Sequence, residues 1–366
     1  MIAKRIFWTI ACLFALLFLA VFVAYWMSSN VCADKATLSG DLMKAITYCE
    51  YGGPEVLEYG DVARPVPGDD ELLVKVRAAS ANPLDWHYMR GTPYVVRVGG
   101  GLRFPQDVRM GVDFAGTVET VGKNVKQFQP GDEVIGARNG AMAEYVIVGA
   151  DRGVVHKPSN ISFAQAAAVP IAALTALQAI RDKGTIEAGQ SVLVNGASGG
   201  VGTFAVQIAK AYGAEVTGVS STRNQQLVKS LGADFSIDYT REDYTQGDQR
   251  YDVILDCVGN HSLLSQRKVL KPGGKIVLIG GPTDGNWIGA FLTPLSGLLL
   301  SPFYDEDFVN LLAEINAEDL AVMGELMRTS QVTPVIDRKY PLSKASEAIA
   351  YLETGRARGK VILTVE

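Results

Sequence analysis

Histidine is scarce in this chain, with three among 366 residues, and His87, His156 and His261 stand far apart. The four cysteines, Cys12, Cys32, Cys49 and Cys257, form no CxxC and no paired spacing. Neither a zinc knuckle nor a disulfide framework is expected from them. No basic block occurs beyond Lys4-Arg5 and the net charge is −5, which argues against nucleic acid as a partner. Apolar residues, by contrast, make up 48% of the chain, enough for two domains with their own cores.

One long hydrophobic run is present. Residues 6–27 carry no charge over about 22 positions, enough to span a hydrocarbon core of about 30 Å as a helix. Trp8, Tyr25 and Trp26 sit near its ends, where interfacial anchors are found. The apolar core of a signal peptide is only about 7–15 residues, so an uncleaved single-pass membrane anchor is expected over cleavage after Ala33. Lys4 and Arg5 would hold the N-terminus in the cytoplasm and put the body outside. The side of the membrane stays open. Residues 1–5 are then a basic flank, 6–27 a transmembrane anchor and 28–42 a polar linker.

From residue 43 the texture is short strands with frequent glycine and proline, at 45–48, 71–77, 111–121, 132–135 and 143–148, as in a β-barrel. Residues 163–181 read as a helical pair broken at Pro170. Then Ser191-Val-Leu-Val-Asn195 makes a short apolar strand, Gly196, Gly199 and Gly202 follow at three-residue spacing, and 203–212 run at helical period to Gly213. Strand, glycine turn and helix open a dinucleotide-binding unit, in which a pyrophosphate sits on the helix N-terminus. Ser198 inside Gly196-Ala-Ser-Gly-Gly200 superficially resembles a nucleophile elbow, but its place in a phosphate turn accounts for it. Strands at 215–220, 234–238, 251–256 and 275–279 alternate with helices, the order of a parallel sheet covered on both faces. Residues 291–303, too short to span a bilayer, read as a core helix over a membrane contact, and 317–329 as an amphipathic helix. A strand, helix and strand at 332–340, 344–353 and 360–365 close the chain.

Several motifs then occur together. They are Asn82-Pro-Leu-Asp85, Gly111-Val-Asp-Phe-Ala-Gly116, Gln129-Pro-Gly-Asp-Glu-Val134, the glycine turn, Leu231-Gly-Ala-Asp-Phe-Ser-Ile-Asp-Tyr239, Lys271-Pro-Gly-Gly-Lys275 and Gly355-Arg-Ala-Arg-Gly-Lys360. In that order the chain resembles the medium-chain dehydrogenase/reductase superfamily, zinc-independent quinone oxidoreductase type, over about residues 43 to 366. The likeness extends to the branch that includes the reticulon-4-interacting protein and bacterial NAD(P)-dependent alcohol dehydrogenases. It implies an α/β fold, with a Rossmann doubly wound parallel sheet and a discontinuous GroES-like β-barrel catalytic domain. The first part of that domain would be 43–166, the NADPH-binding Rossmann domain 167–306, and the return to the catalytic domain 307–366. Zinc alcohol dehydrogenases place a cysteine near Asn82 and Gly-His-Glu near Gly111. Here Asn82-Pro83 and Gly111-Val112-Asp113 stand there, with no four-cysteine lobe, so no metal is expected.

An NAD-specific fold ends its second strand in an acid that holds the ribose 2′-hydroxyl. This chain has Ser220-Ser-Thr-Arg223, whose hydroxyls and guanidinium suit a 2′-phosphate, so NADPH is the expected cofactor, with Ser220 and Arg223 at the phosphate. The resemblance adds Tyr239 at the adenosine phosphate and Ser198, Gly200 and Val201 in the pyrophosphate turn beside the three spaced glycines. It also brings Ala357 and Arg358 close to the cofactor and Thr175 near the carboxamide. Arg356 stands where relatives often have histidine. Cys257 and Ile279 fall at C-terminal strand ends, where a nicotinamide would lie. For Cys257 alone, a small buried hydrophobe is the simpler reading.

The reaction so implied is hydride transfer to a quinone or an α,β-unsaturated carbonyl, a small apolar substrate. Hydride addition to an enone leaves an enolate that needs electrostatic stabilisation and a proton. Asn82 is the electrostatic candidate by family position and Tyr88 a proton donor, with Asp85, His87 and Tyr94 nearby. Two other readings stay open. One is a non-catalytic, membrane-tethered NADPH-binding interaction or sensor protein. The other is a zinc-free alcohol dehydrogenase, which would lack a Lewis acid. Residues 86–104 and 284–303 are the expected specificity segments. Homodimers are common in the family, and the sequence leaves the assembly open.

Overall fold

The computed structural model describes residues 40–281 and 300–365 continuously, with residues 8, 19, 21–23, 25–30, 32, 296 and 297 besides. Strands β1 (Leu42–Thr47) and β2 (Glu58–Ala63) pair antiparallel. Strands β3 (Glu71–Ala81), β4 (Asp113–Val121), β5 (Glu133–Ala137), β6 (Tyr145–Gly149) and β7 (Val154–His156) join one antiparallel sheet built on β3. One edge of β3 follows β4, in a register that sets Ser80 opposite Asp113. The other edge is shared: Glu71–Lys75 pair with β6, which leaves the C-terminal half for another strand. Gly116 is required here because a Cβ on it would lie 2.2 Å from the Lys75 carbonyl oxygen.

The second sheet consists of β8 (Ser191–Asn195), β9 (Glu215–Ser220), β10 (Phe235–Asp238), β11 (Tyr251–Asp256), β12 (Leu270–Leu278) and β13 (Asp307–Asn310). All its pairings are parallel, in the order β10-β9-β8-β11-β12-β13. Its strands are near-continuous apolar runs, as burial on both faces demands. Val192, Leu193 and Val194 of β8, for example, are fully buried. Strand order reverses between β8 and β11, the switch point at which a doubly wound sheet opens a ligand crevice. The sheet runs through β13, beyond residue 306.

The chain then returns to the first sheet. Strand β14 (Ile336–Pro341) lies parallel to β15 (Lys360–Thr364), and β15 fills the open half of β3, antiparallel, with Val361 opposite Ala81 and Thr364 opposite Ala78. Because side chains alternate along a strand, β15 serves two cores. Val361 and Leu363 pack with Phe114 and Val74 inside the antiparallel sheet. Ile362 packs instead in the core that holds Leu177 and Val194 of the cofactor half. The helical pair expected around Pro170 is present as Phe163–Ala167 and Pro170–Gln178.

Two expectations are corrected. Among the described residues no helix is long and apolar enough to cross a membrane, so a single-pass anchor over 6–27, with its membrane localisation, is not supported. Most of 6–27 lies outside the described residues, as does most of the core helix expected over 291–303. Cys32 and Cys49 form a disulfide, although no spacing rule pairs them; their Cα atoms are 5.8 Å apart. Folding supplies that proximity, because Cys49 follows β1 and is held in place by that strand.

Ile362→Ala should cost about 2–5 kcal/mol, as for a fully buried branched side chain. Val66→Ala, at a position 85% exposed, should change stability by less than about 0.5 kcal/mol. Urea unfolding of both variants measures the difference.

Candidate active site

The glycine turn lies between the end of β8 and the helix Gly200–Ala211. Gly196 has φ +85°, a left-handed conformation costly for other residues. A Cβ on Gly202 would stand 2.1 Å from the Gly196 carbonyl oxygen, so the turn closes only on glycine there. The helix starts with unpaired N–H groups and no side-chain cap, an arrangement suited to a pyrophosphate. The resulting cradle fits a dinucleotide. Ser198 is held from two sides: its carbonyl accepts from Gly359 N at 3.0 Å, and its hydroxyl accepts from Asn224 Nδ2 at 2.9 Å.

At the adenosine end, Ser220 closes β9, and its hydroxyl and carbonyl both accept from Gln225 Nε2. Arg223 donates to the Arg356 carbonyl at 2.8 Å, which draws the segment carrying Ala357 and Arg358 over this end. Tyr239 is exposed and its N–H donates to the Ser220 carbonyl. The structure thus brings Ser198, Ser220, Arg223, Tyr239 and the 356–358 segment together. An acid is near, but Asp238 accepts from the Thr222 and Thr240 hydroxyls, which hold its carboxyl below the usual range.

At the switch point, Asn195 and Asp256 end β8 and β11 in register. Asn195 Nδ2 donates to Asp256 Oδ1 at 2.9 Å and to Asn260 Oδ1 at 2.8 Å. Asp256 also accepts from Val258 N, Gly259 N and Gln266 Nε2, so it shapes the turn that carries Cys257. The Cys257 thiol is pushed well up by burial, then by Asp256, and it stays a neutral thiol. Ile279 hangs from the Asp256 carbonyl, as Gly280 does. Thr175 spends its hydroxyl proton on the Ile171 carbonyl at 2.6 Å, leaving lone pairs able to accept from an amide.

The fourth element is a buried polar cluster where the two sheets meet. The register of β15 on β3 places Lys360 beside Asn82, and that of β3 on β4 places Ser80 beside Asp113. The Lys360 ammonium is buried and donates to Asn82 Oδ1 and to the Ala81 carbonyl, with Asp113 Oδ2 at 3.5 Å. Asn82 Nδ2 donates to Asp113 Oδ2 at 2.9 Å and to the Ser80 carbonyl at 3.4 Å; Ser80 Oγ donates to the same carboxylate oxygen at 2.9 Å. Asp113 Oδ1 accepts from Ile171 N, at the start of the helix that carries Thr175. The Lys360 stem reaches the glycine turn, for a Cβ on Gly200 would lie 3.3 Å from its Cδ. Asp85 completes the cluster by accepting from Asn82 N at 2.7 Å. Burial pushes the Asp85 carboxyl up to about 7, with Asp113 adding to the effect. Burial also draws the Lys360 ammonium downward against the pull of Asp113 and Asp85.

Asn82 therefore sits at the site with its amide fully engaged. Tyr88 is not brought onto it. On the helix Pro83–Arg90 the buried positions are Asp85 and Met89, while Tyr88 is 45% exposed and lies against Gly100. His87 Nδ1 lies 2.7 Å from the Thr92 carbonyl, and burial lowers its imidazole from the ordinary value.

Two family models match: alcohol dehydrogenase GroES-like domain over residues 68–159 and zinc-binding dehydrogenase over 231–363. The chain is 36% identical to a 2-methylene-furan-3-one reductase of Solanum lycopersicum, over 88% of this chain and 79% of the relative. The solved quinone oxidoreductase of Coxiella burnetii superposes with a TM-score of 0.79 at 33% identity, over 89% of this chain and 100% of that one. The chain belongs to the medium-chain dehydrogenase/reductase superfamily, quinone oxidoreductase type. As a family member it is a nicotinamide-dependent oxidoreductase. It is also 35% identical to an NADPH-dependent alkenal/one oxidoreductase of Arabidopsis thaliana, over 91% of this chain and 82% of the relative.

Sequence reasoning gave no role to Lys360, Asp113, Ser80, Asn195 or Asp256. A usable signal was present for three of them. Asp113 opens a strand, and Asn195 and Asp256 end theirs, where the neighbouring positions are apolar. Among the described residues no group of three or more His, Cys, Asp or Glu could hold a metal ion.

Gly202→Ala should weaken NADPH binding more than about tenfold, because the turn must open to admit the methyl. Fluorescence titration reads the change. Asp85 has its folded pKa raised, so the folded state binds more protons than the unfolded one between about pH 4 and pH 7, and stability falls as pH rises through that window. Asp85→Asn keeps the accepting oxygen and should remove about 2–4 kcal/mol of that fall, measured by urea unfolding at pH 5 and pH 8.

Proposed function

We propose that this oxidoreductase uses NADPH to reduce quinones or α,β-unsaturated carbonyls without zinc. The single observation that carries the cofactor choice is the adenosine end. It offers the Arg223 guanidinium and the part-buried Ser198 hydroxyl, while Ser220 is buried against Gln225 and the near acid is turned onto two threonines. A 2′-phosphate finds cationic and hydroxyl partners there. The substrate class rests on the named activities of the Solanum and Coxiella relatives.

Bound in the glycine cradle, NADPH supplies a hydride. The protein's own part is binding and placement. Gly196–Gly202 and the helix N-terminus hold the pyrophosphate, and Thr175 orients the carboxamide through its lone pairs. The turn shaped by Asp256 lines the nicotinamide side with Cys257 and Ile279. Net transfer of one hydride and one proton converts a quinone to a hydroquinone, or an enone to a saturated ketone. Asn82 supports the site from beneath, since its oxygen and both amide hydrogens are engaged. Tyr88, half-exposed on the helix that follows Asn82, is the phenol assigned to give the proton, although the fold leaves it off the buried cluster.

Zinc does not fit the residues present. Positions 82 and 113 carry an amide and a carboxylate already joined by an ammonium, and no thiolate or imidazole stands with them. No step passes through a metal.

Purified protein mixed with NADPH or NADH and a panel of quinones, enones and simple aldehydes tests the reading by absorbance. Consumption of NADPH with quinones or enones, and little of NADH, is expected; turnover restricted to NADH rejects the cofactor assignment. Arg223→Ala should raise KM for NADPH about tenfold to a hundredfold, the worth of a charged hydrogen bond, and leave NADH unaffected. Tyr88→Phe should lower kcat for enones by about a hundredfold, as loss of a proton donor does. A wild-type rate assigns the proton to solvent.

A further inference from the structure

Lys360, through its head, its stem and its backbone neighbour, touches three things that hydride transfer must bring into line. Its stem lies against Gly200 in the cofactor turn, and its backbone neighbour Gly359 N donates to the Ser198 carbonyl. Its head donates to Asn82 Oδ1 and the Ala81 carbonyl at the end of β3. Asp113 Oδ2, 3.5 Å away, answers its charge, while Asp113 Oδ1 takes the N–H of Ile171 at the head of the helix that carries Thr175. Lys360 is 3% exposed and Asp113 is 0% exposed. A lone buried ammonium is costly, and it persists only with a carboxylate and further acceptors around it. The ammonium thus ties the end of β3 to Asp113, Asp113 reaches the nicotinamide-side helix through Ile171 N, and the lysine stem and Gly359 N reach the cofactor turn.

We propose that Lys360 is a positioning residue for hydride transfer, an internal cation standing between positions 82 and 113 and setting the cofactor turn against the catalytic sheet. This rests on the NADPH-dependent reductase reading above. A wild-type enzyme that oxidises NADPH with none of the acceptors would remove that reading, and it is assayed first.

The variants are Lys360→Met, which keeps the stem and removes the charge, and Lys360→Met with Asp113→Asn, which also removes the stranded carboxylate. Four quantities are read on each: Tm, Kd for NADPH, kcat with a quinone, and the isotope effect on kcat with NADPH deuterated at the transferred position. The single variant should lose Tm. The double variant should regain it to within a few degrees, bind NADPH within threefold of wild type, and still show kcat reduced at least tenfold with a larger isotope effect. Such a split marks misaligned hydride transfer in a folded, cofactor-loaded enzyme. Recovery of kcat together with Tm in the double variant would make the pair a stabilising contact only and overturns the proposal. Loss of NADPH affinity with kcat intact also overturns it, since the cation would then serve cofactor binding. So does a double variant that does not fold, because the lysine would then be a folding element.

Discussion

When β15 pairs with β3, a strand from the end of the chain settles into the open half of a sheet laid down near its beginning, and three contacts form at once. Lys360 comes beside Asn82, Gly359 meets the Ser198 carbonyl, and Ile362 enters the core shared with the cofactor half. The antiparallel register dictates all three. A slip of one residue would send Ile362 to the opposite face and turn the lysine out of the cluster. Catalytic sheet and cofactor sheet are thereby joined by main-chain hydrogen bonds as well as by side-chain packing.

Two buried polar networks stand at the joints of this arrangement, and they share a design. Each lies where apolar strands end, and each converts a charge costly to bury into a fixed geometry. Asp256 is satisfied by Asn195, Gln266 and two backbone N–H groups. Asp113 is satisfied by Ser80, Asn82, Ile171 N and the ammonium of Lys360. Removing the ammonium from the Asp113 network would leave a buried charge uncompensated, at about 3–5 kcal/mol. The same saturation that makes the networks rigid leaves neither amide hydrogen of Asn82 free. Asp85 is the least settled member, with a carboxyl pushed up to about 7 by burial.

The cofactor crevice is assembled differently, from backbone more than from side chains. Glycines at 196 and 202 allow the turn, and the helix behind it offers unpaired N–H groups. Side chains decide only the adenosine end. There Arg223, fixed on the Arg356 carbonyl, pulls the late segment 356–358 over the second strand of the cofactor sheet. One stretch of chain, 356–360, therefore joins Arg223 after β9 to the edge of β3.

The sequence alone determined the local and periodic features. These are the strand, glycine turn and helix of the cofactor site, the apolar runs of a parallel sheet, the break at Pro170, and the serine and arginine where an NAD-specific fold carries an acid. Each follows from backbone conformational preference or side-chain period, and each is written within a dozen residues. Tertiary structure decided what distance in the chain hides. Asn82 and Lys360 are 278 residues apart, and whether the amide meets substrate or a lysine depends on strand register, not on its neighbours in sequence. Cys32 and Cys49 form a disulfide that no spacing rule records, with Cys49 held just after β1. The apolar run at 6–27 met the length criterion for a span, yet no described helix satisfies it. Period and composition act through the chain, whereas a buried charge finds its partner through space.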